Sequence, residues 1–365
     1  MTGDVCLKIT VTKAQGMNVR NLVNYGFLRE LMDSYIKKSV GVLVLLLIFF
    51  ASPGHASSGE TDSLAGRPDL EQFIREMVDK HHFDSASLHD TFSQVHLKPG
   101  IIKAMLRPAE TKPWNVYRAM FVNPVRIAGG TKFWNDNAGT LELANKIYGV
   151  PESLIIAIIG VETQYGRNMG SYRVLDALST LAFEYPRRAE FFRGELENFL
   201  LMTREENADP FNFKGSYAGA MGIGQFMPGS YRRFAVDFDG DGQRDICRNV
   251  TDALGSVANY FVAHGWEPGQ PVAVRAQVSG EKYLELVNLG FNLTHSVDEL
   301  AAYGVTPTEP IAGNQRVMLI RLDTGGEPEY WLGLNNFQVI TQYNRSKYYA
   351  MAVYQLSREI QAAHQ

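Results

Sequence analysis

The sequence predicts an α+β fold that is mainly α. Three observations carry this: helical apolar spacing from Asp69 to His264, a change to period two between Val272 and Leu332, and a return to helical spacing after Asn336. The expected organisation is an N-terminal helical subdomain over 68–150, a helical core over 151–269, a small α/β insert over 270–334 and a C-terminal segment over 335–365.

In chain order, Lys37 and Lys38 precede an apolar run from Val40 to Ala51, and Ser52-Pro53-Gly54-His55-Ala56 supplies small residues after it. A positive region, a short apolar core and a small-residue exit describe a secretory signal peptide, so residues 1–56 are expected to be removed by cleavage after Ala56. The run is short for a membrane span, and no stable insertion is expected after processing; an uncleaved anchor is the alternative. The residues ahead of Met32 are unusual for a signal peptide, and Met32 is a more natural start. No cysteine follows the apolar run, which excludes a bacterial lipid anchor there. Residues 57–67 read as a polar linker.

Leu70, Phe73, Ile74 and Met77 give the first amphipathic helix. Pro108-Ala109-Glu110 and Pro113-Trp114 break the pattern before a helix carrying Tyr117 and Met120. From Pro151 to Gly170 an almost unbroken apolar run, Leu154 to Val161, ends in Glu162-Thr163-Gln164-Tyr165-Gly166. Periodicity alone does not separate strand from helix here. Pro151 suits a first helical position, Glu152 a helix N-terminus and Gly166 a C-terminal cap, so the stretch reads as a helix. Ile155, Ile158 and Ile159 then share a face with Glu162. A carboxyl group at the end of an apolar stripe has its pKa raised by desolvation, which keeps it protonated as a general acid near neutrality. A structural ion pair at a helix end is the competing reading of Glu162.

A helix from Val174 to Tyr185 stops at Pro186, and Phe192, Leu196, Phe199, Leu200 and Thr203 line one face of the next. The stretch from Ser216 to Pro228 is dense in glycine, with Ser216 and Gln225 as hydrogen-bonding side chains. Such glycines admit close approach of a ligand or of another chain segment, and both remain open. Asp237, Asp239, Asp241, Gln243 and Asp245, with Gly242 at the sixth position, match the start of an EF-hand loop over 237–248, but Arg248 stands where the twelfth position calls for an acid. The loop can hold calcium weakly, with Asp245, Asp252 or water completing the shell; an Asp/Gly turn capped by backbone amides is the alternative. Asp252 to His264 is helical. Val272, Val274, Ala276 and Val278 alternate, as do Val317, Leu319 and Arg321 against Met318, Ile320 and Leu322, and Tyr330-Trp331-Leu332 is a third strand. Ser296-Val297-Asp298-Glu299 opens a short helix with a capping box. Asn336 to Ser346 leads into a final amphipathic helix.

Composition excludes several classes. The chain of 365 residues is 45% hydrophobic and 20% charged, ordinary for a globular protein with a real core. Cys6 and Cys247 make no disulfide framework, and the eight histidines form no zinc motif. Neither a GxSxG elbow nor a Walker loop occurs. Net charge is −4, and without residues 1–56 it is −7, which argues against nucleic acid and places any polymer ligand in a groove.

Four stretches in order resemble the B-type membrane-bound lytic murein transglycosylases, glycoside hydrolase family 103. They are Glu162-Thr163-Gln164-Tyr165-Gly166; Gly219-Ala220-Met221-Gly222 with Gln225-Phe226-Met227-Pro228; Asp237–Asp245 with Gly255-Ser256-Val257-Ala258-Asn259-Tyr260; and Tyr343-Asn344-Arg345-Ser346 with Tyr349-Ala350. The resemblance covers roughly residues 68–360. It implies a lysozyme-like helical core, a C-terminal segment closing a cleft, and peptidoglycan glycan strands as partner. It implies anhydro-forming cleavage between N-acetylmuramic acid and N-acetylglucosamine with Glu162 as acid then base, and no required cofactor. Tyr117, Ser216, Gln225, Tyr260, Tyr343 and Asn344 match positions lining the family's cleft. Arg248 departs from the calcium loop of the best-known members, and the missing lipid-attachment cysteine points to a soluble periplasmic enzyme. A water-using muramidase, for which Asp176 or Glu184 would be the second carboxylate, and a silent wall-binding scaffold are the rival readings.

Overall fold

Residues 63–106 and 112–365 are described by the computed structural model. The expected leader and the break at Pro108-Ala109-Glu110 lie outside them. The fold is built around the helix Glu152–Thr163, in which every residue from Ser153 to Thr163 is buried. Four helices pack directly on it: Pro124–Asp136, Ala138–Tyr148, Val250–Ala263 and the last one, Lys347–His364. The helix is apolar all round, as the almost unbroken run predicts, because neighbours enclose it on every side.

The ends of the surrounding helices follow from local chemistry. Asn123 accepts from Arg126 N at 3.0 Å and opens Pro124–Asp136, while Asn249 accepts from Thr251 N at 3.0 Å and opens Val250–Ala263. Gly149, at φ 66°, closes Ala138–Tyr148. The expected first helix is Pro68–His81, burying Leu70, Phe73, Ile74 and Met77. Val174–Glu184 packs on Ala189–Glu205, whose Phe192, Leu196, Phe199, Leu200 and Thr203 are all buried as the spacing predicts.

Two short strands, β1 (Tyr172–Arg173) and β2 (Lys214–Gly215), pair antiparallel. The insert is a five-stranded antiparallel sheet of β3 (Ala273–Val278), β4 (His295–Ser296), β5 (Val305–Pro307), β6 (Arg316–Leu322) and β7 (Glu329–Gly333), in the order β4-β6-β7-β3-β5. In β6 the two sets of alternating residues have different neighbours. Met318, Ile320 and Leu322 join the main helical core, whereas Val317 and Leu319 join a smaller core with Val274, Leu286, Leu300 and Leu332.

Several expectations are corrected. Residues 63–67 are no free linker: Leu64 is fully buried, and Arg67 pairs with Asp69 at 2.8 Å and with Glu184. The expected capping box is present, with Glu299 accepting from Ser296 N at 2.7 Å, and the short helix it opens, Val297–Tyr303, is of the 3₁₀ kind. Asn336 to Tyr343 is itself helical, within Asn335–Tyr343. Among the described residues no single helix is long and apolar enough to cross a membrane.

Candidate active site

Glu162 sits in the last turn of the central helix and is 5% exposed. Burial pushes its carboxyl up to about 7 from an ordinary 4.5, opposed by a hydrogen bond from Tyr349 and by the charge of Arg126. The Tyr349 hydroxyl donates to Oε1 of Glu162 at 2.6 Å. Tyr349 is placed by its own helix start, where the Ser346 hydroxyl accepts from Tyr349 N at 3.2 Å. Arg126, itself buried, donates to the Gly160 carbonyl, so a cation stands at the C-terminal end of the helix where its dipole favours one.

Just past Glu162 the backbone takes three left-handed residues in a row: Gln164, Tyr165 and Gly166, at φ 52°, 64° and 80°. Gln164, rather than Gly166, is the helix cap, and Pro151 is the residue before the first turn rather than within it. Non-glycine residues in this region carry a cost of roughly 1–3 kcal/mol each and collect at functional sites. Tyr165 is held by a 2.5 Å bond to the Arg126 carbonyl. Gly160 makes room for that ring, since a Cβ there would lie 2.7 Å from the Tyr165 hydroxyl.

The glycine-rich stretch lies against this end of the helix. The Thr163 hydroxyl donates to the Ile223 carbonyl at 2.8 Å, and the Gln225 amide donates to Met169 at 3.1 Å and to Gly222 at 3.0 Å. Gln225 is also left-handed, at φ 53°, in a tight turn closed by paired Met221–Phe226 backbone bonds of 2.9 Å. Tyr343 donates to the Gly224 carbonyl at 2.5 Å, and its phenol is pushed up by burial and then by the charge of Glu162. The Tyr117 phenol is pushed up by the same two causes. Tyr349 thus touches the acid directly, the charge of Glu162 acts on the Tyr117 and Tyr343 phenols, and Gln225 sits in the turn joined to this end of the helix through Thr163.

Three further predicted residues play other parts. Ser216 is half-buried and its Oγ accepts from Ala220 N at 3.1 Å, which closes the turn. Tyr260 is 7% exposed, enclosed by Phe226, Phe234, His264 and Tyr343, and donates to the Gln342 carbonyl at 2.7 Å. Its ring therefore offers no open face, and it acts by holding the Tyr343 segment. Asn344 is buried, and its side-chain oxygen has no hydrogen-bond partner among the described residues. Of the glycines, Gly219 and Gly222 serve internal packing: a Cβ on them would meet Leu178 at 2.4 Å and the Ile246 carbonyl at 2.7 Å.

In the acidic loop, carboxylate oxygens of Asp237, Asp239 and Asp252 lie within 4.8 Å of one another. All of these carboxylates also accept from backbone amides, as in an amide-capped Asp/Gly turn: Asp237 from Gly240 N and Gly242 N at 2.8 Å, Asp252 from Phe238 N and Asp245 N at 2.8 Å, Asp241 from Gln243 N at 2.8 Å and Asp245 from Cys247 N and Arg248 N at 2.9 Å. Of the expected set the structure brings Asp237 and Asp239 together with Asp252, which the sequence offers as a residue to complete the shell. Three hard oxygen donors converging in this way fit a calcium ion.

The Transglycosylase SLT domain model matches residues 65–358. Membrane-bound lytic murein transglycosylase B of Escherichia coli is 48% identical over 327 residues, 86% of this chain and 89% of that protein. The chain belongs to the lytic murein transglycosylase family. Among solved members of the family, soluble lytic transglycosylase SltB1 of Pseudomonas aeruginosa, in its catenated form, is 50% identical with TM-score 0.80, over 82% of this chain and 99% of that one. Escherichia coli lytic transglycosylase Slt35 in complex with calcium is 48% identical with TM-score 0.76, over 82% and 95% of the two chains. The lysozyme-like, mainly helical architecture is that of these transglycosylases.

Neither Tyr349 nor Arg126 carries a role on sequence pattern alone, although Tyr349 stands in one of the quoted motifs. A signal was present only for Tyr349, three residues after a Ser that can cap a helix. The two acids weighed as a second carboxylate are engaged elsewhere: Asp176 with Arg173 at 2.6 Å and His96 N at 3.0 Å, Glu184 with Arg67.

Proposed function

We propose that this chain cleaves the β-1,4 bond between N-acetylmuramic acid and N-acetylglucosamine in peptidoglycan, with Glu162 as both acid and base. The observation that carries the reading is the isolation of Glu162: a buried carboxyl titrating at about 7, acted on by Tyr349 and Arg126 rather than by a second acid. Hydrolytic glycosidases use two carboxyl groups, at about 5–5.5 Å or 6.5–9.5 Å.

With Tyr349 donating to Oε1, the proton is carried on Oε2. Glu162 gives it to the glycosidic oxygen as the bond from that oxygen to the muramic acid C1 breaks. The carboxylate, steadied by Tyr349 and Arg126, then takes the proton of the same sugar's 6-hydroxyl as that oxygen closes on C1. The product is the 1,6-anhydro sugar, and the acid is restored. Gln225, fixed by its two donated bonds, and the unpartnered oxygen of Asn344 are suited to hydroxyl and acetamido groups, and Tyr117 to a sugar face. Tyr343, Tyr260 and Ser216 hold the walls.

Calcium at Asp237, Asp239 and Asp252 would be structural, supplying charge that ties the loop to the helix Val250–Ala263. The reading places the enzyme in the cell envelope, in the periplasm, acting on glycan strands and without nucleic acid. Digestion of purified peptidoglycan in ¹⁸O-water with mass spectrometry tests it. Unlabelled anhydro ends, one water lighter than reducing ends, are expected; a population dominated by ¹⁸O-labelled reducing ends moves the chain to the water-using muramidases.

A further inference from the structure

Glu195, in the helix Ala189–Glu205, is a carboxylate only 9% exposed that takes no part in the proton path above. Among the described residues its one hydrogen bond is accepted by Oε2 from Gly229 N at 2.8 Å. Burial holds the carboxyl up, opposed first by that bond and then by the charges of Arg233 and Arg188. A buried carboxylate with so little compensation is a poor source of stability, since apolar residues of similar volume often serve a core as well or better. Its contribution lies in what it holds.

Gly229 is the second residue of the helix Pro228–Phe234. Pro228 ahead of it has no N–H, so Gly229 carries the first backbone donor of that helix. The helix dipole favours a carboxylate at such an end. A Cβ on Gly229 would lie 3.1 and 3.2 Å from the two Glu195 oxygens, so the glycine is what admits the carboxylate. The Gly229 carbonyl is fixed as well, accepting from Arg233 Nε at 2.9 Å.

The chain just ahead of this anchor is the Gln225 turn. Gln225 is left-handed, at φ 53°, and a non-glycine residue keeps such a backbone only where its surroundings over-determine it. The Met221–Phe226 bonds of 2.9 Å close the turn from within, and the Thr163 hydroxyl ties it to the Glu162 helix through the Ile223 carbonyl at 2.8 Å. Neither fixes the chain as it leaves the turn. The Glu195–Gly229 bond does, shortly after Phe226. We infer that Glu195 is a positioning residue: through Gly229 N it holds the Gln225 turn against the Glu162 helix, and so governs how glycan binds rather than how the proton moves. The inference rests on the peptidoglycan reading above and adds a residue which that reading leaves without a role.

The test uses the full chain and two readouts, steady-state cleavage of solubilised glycan strands and hydrogen exchange of residues 221–229 followed by mass spectrometry. Glu195→Leu keeps most of the volume but cannot accept from Gly229 N, whereas Glu195→Gln keeps an acceptor oxygen without the charge. Glu195→Leu should raise KM by roughly tenfold, the usual scale of one hydrogen bond to a charged group, with kcat within about twofold of wild type. Its 221–229 segment should exchange faster, while its Tm stays close to that of wild type. Glu195→Gln should recover most of the affinity and of the exchange protection. Gly229→Ala, which presses a Cβ on the carboxylate, should raise KM in the same direction and decides the matter if Glu195→Leu does not fold. A folded Glu195→Leu or Gly229→Ala with wild-type KM, a loss carried by kcat, or Glu195→Gln as impaired as Glu195→Leu would overturn the inference. Wild-type protein that cleaves no glycan would contradict the transglycosylase reading alone, and the exchange measurement would still decide whether Glu195 holds the turn.

Discussion

The Tyr349 hydroxyl donates a 2.6 Å hydrogen bond to Oε1 of Glu162, joining residues 187 positions apart in a buried setting. Desolvation and this bond act on the acid in opposite senses: burial favours the proton, and the bond favours the carboxylate. The balance leaves a group that can give up a proton near neutral pH and take it back.

Tyr349→Phe removes the hydrogen bond that, together with the charge of Arg126, lowers the Glu162 pKa, so the pKa should rise above about 7. The alkaline limb of the pH profile of kcat/KM should move to higher pH. At the optimum, kcat should fall by roughly tenfold or more, since a hydrogen bond to a charged group contributes about 1.5–3 kcal/mol. An alkaline limb that stays in place or moves to lower pH would count against the role given to Tyr349.

Glu162 should cost the fold stability at alkaline pH. Its folded pKa of about 7 lies above the ordinary 4.5, so the folded state holds this proton more tightly than the unfolded chain. The favourable contribution is complete below about pH 4.5 and is lost as pH rises through about 7. By linkage the loss is on the order of 3 kcal/mol. Glu162→Gln has no proton to lose, so its Tm should exceed that of the wild type by several degrees at pH 8 and match it near pH 4. Thermal melts across that range check this; a Tm difference independent of pH would contradict it.

Calcium should act on stability rather than on turnover, because the proposed ligands, Asp237 and Asp239 of the acidic loop and Asp252 of the next helix, include no group that moves the Glu162 proton. Binding to the folded state alone stabilises by about 2.7 kcal/mol at a hundredfold excess over Kd. Several millimolar calcium should raise Tm, and Asp252→Asn should abolish the rise while Asp245→Asn retains most of it. An identical Tm in chelator and in calcium would remove the site.

The legible parts of the fold are those where one physical signal runs over enough residues. The run from Leu154 to Val161 announced a buried helix, and Glu162 at its end announced a desolvated acid. Arg316–Leu322 was legible because it alternates between two cores. β1, β2 and β4 have two residues each and β5 three, too short for any period, so pairing partners decide them. Gln225 was legible by type and by motif, but its left-handed backbone comes from the Met221–Phe226 pairing around it. The twelve-residue template finds no acid at Arg248, and Asp252, legible as a residue to complete the shell, comes from the first turn of the next helix. Tyr349 reaches Glu162 only through packing of the last helix on the central one, and no local pattern carries that.

The measurement that tests the central claim most directly is turnover of peptidoglycan by Glu162→Gln at neutral pH, with circular dichroism to confirm the fold. The amide can neither give the proton to the leaving oxygen nor take one from the 6-hydroxyl. Release of anhydro fragments should fall by roughly 10²–10⁴-fold, the usual contribution of a general acid–base group. A folded variant that keeps more than about a tenth of the activity would mean that another residue moves the proton.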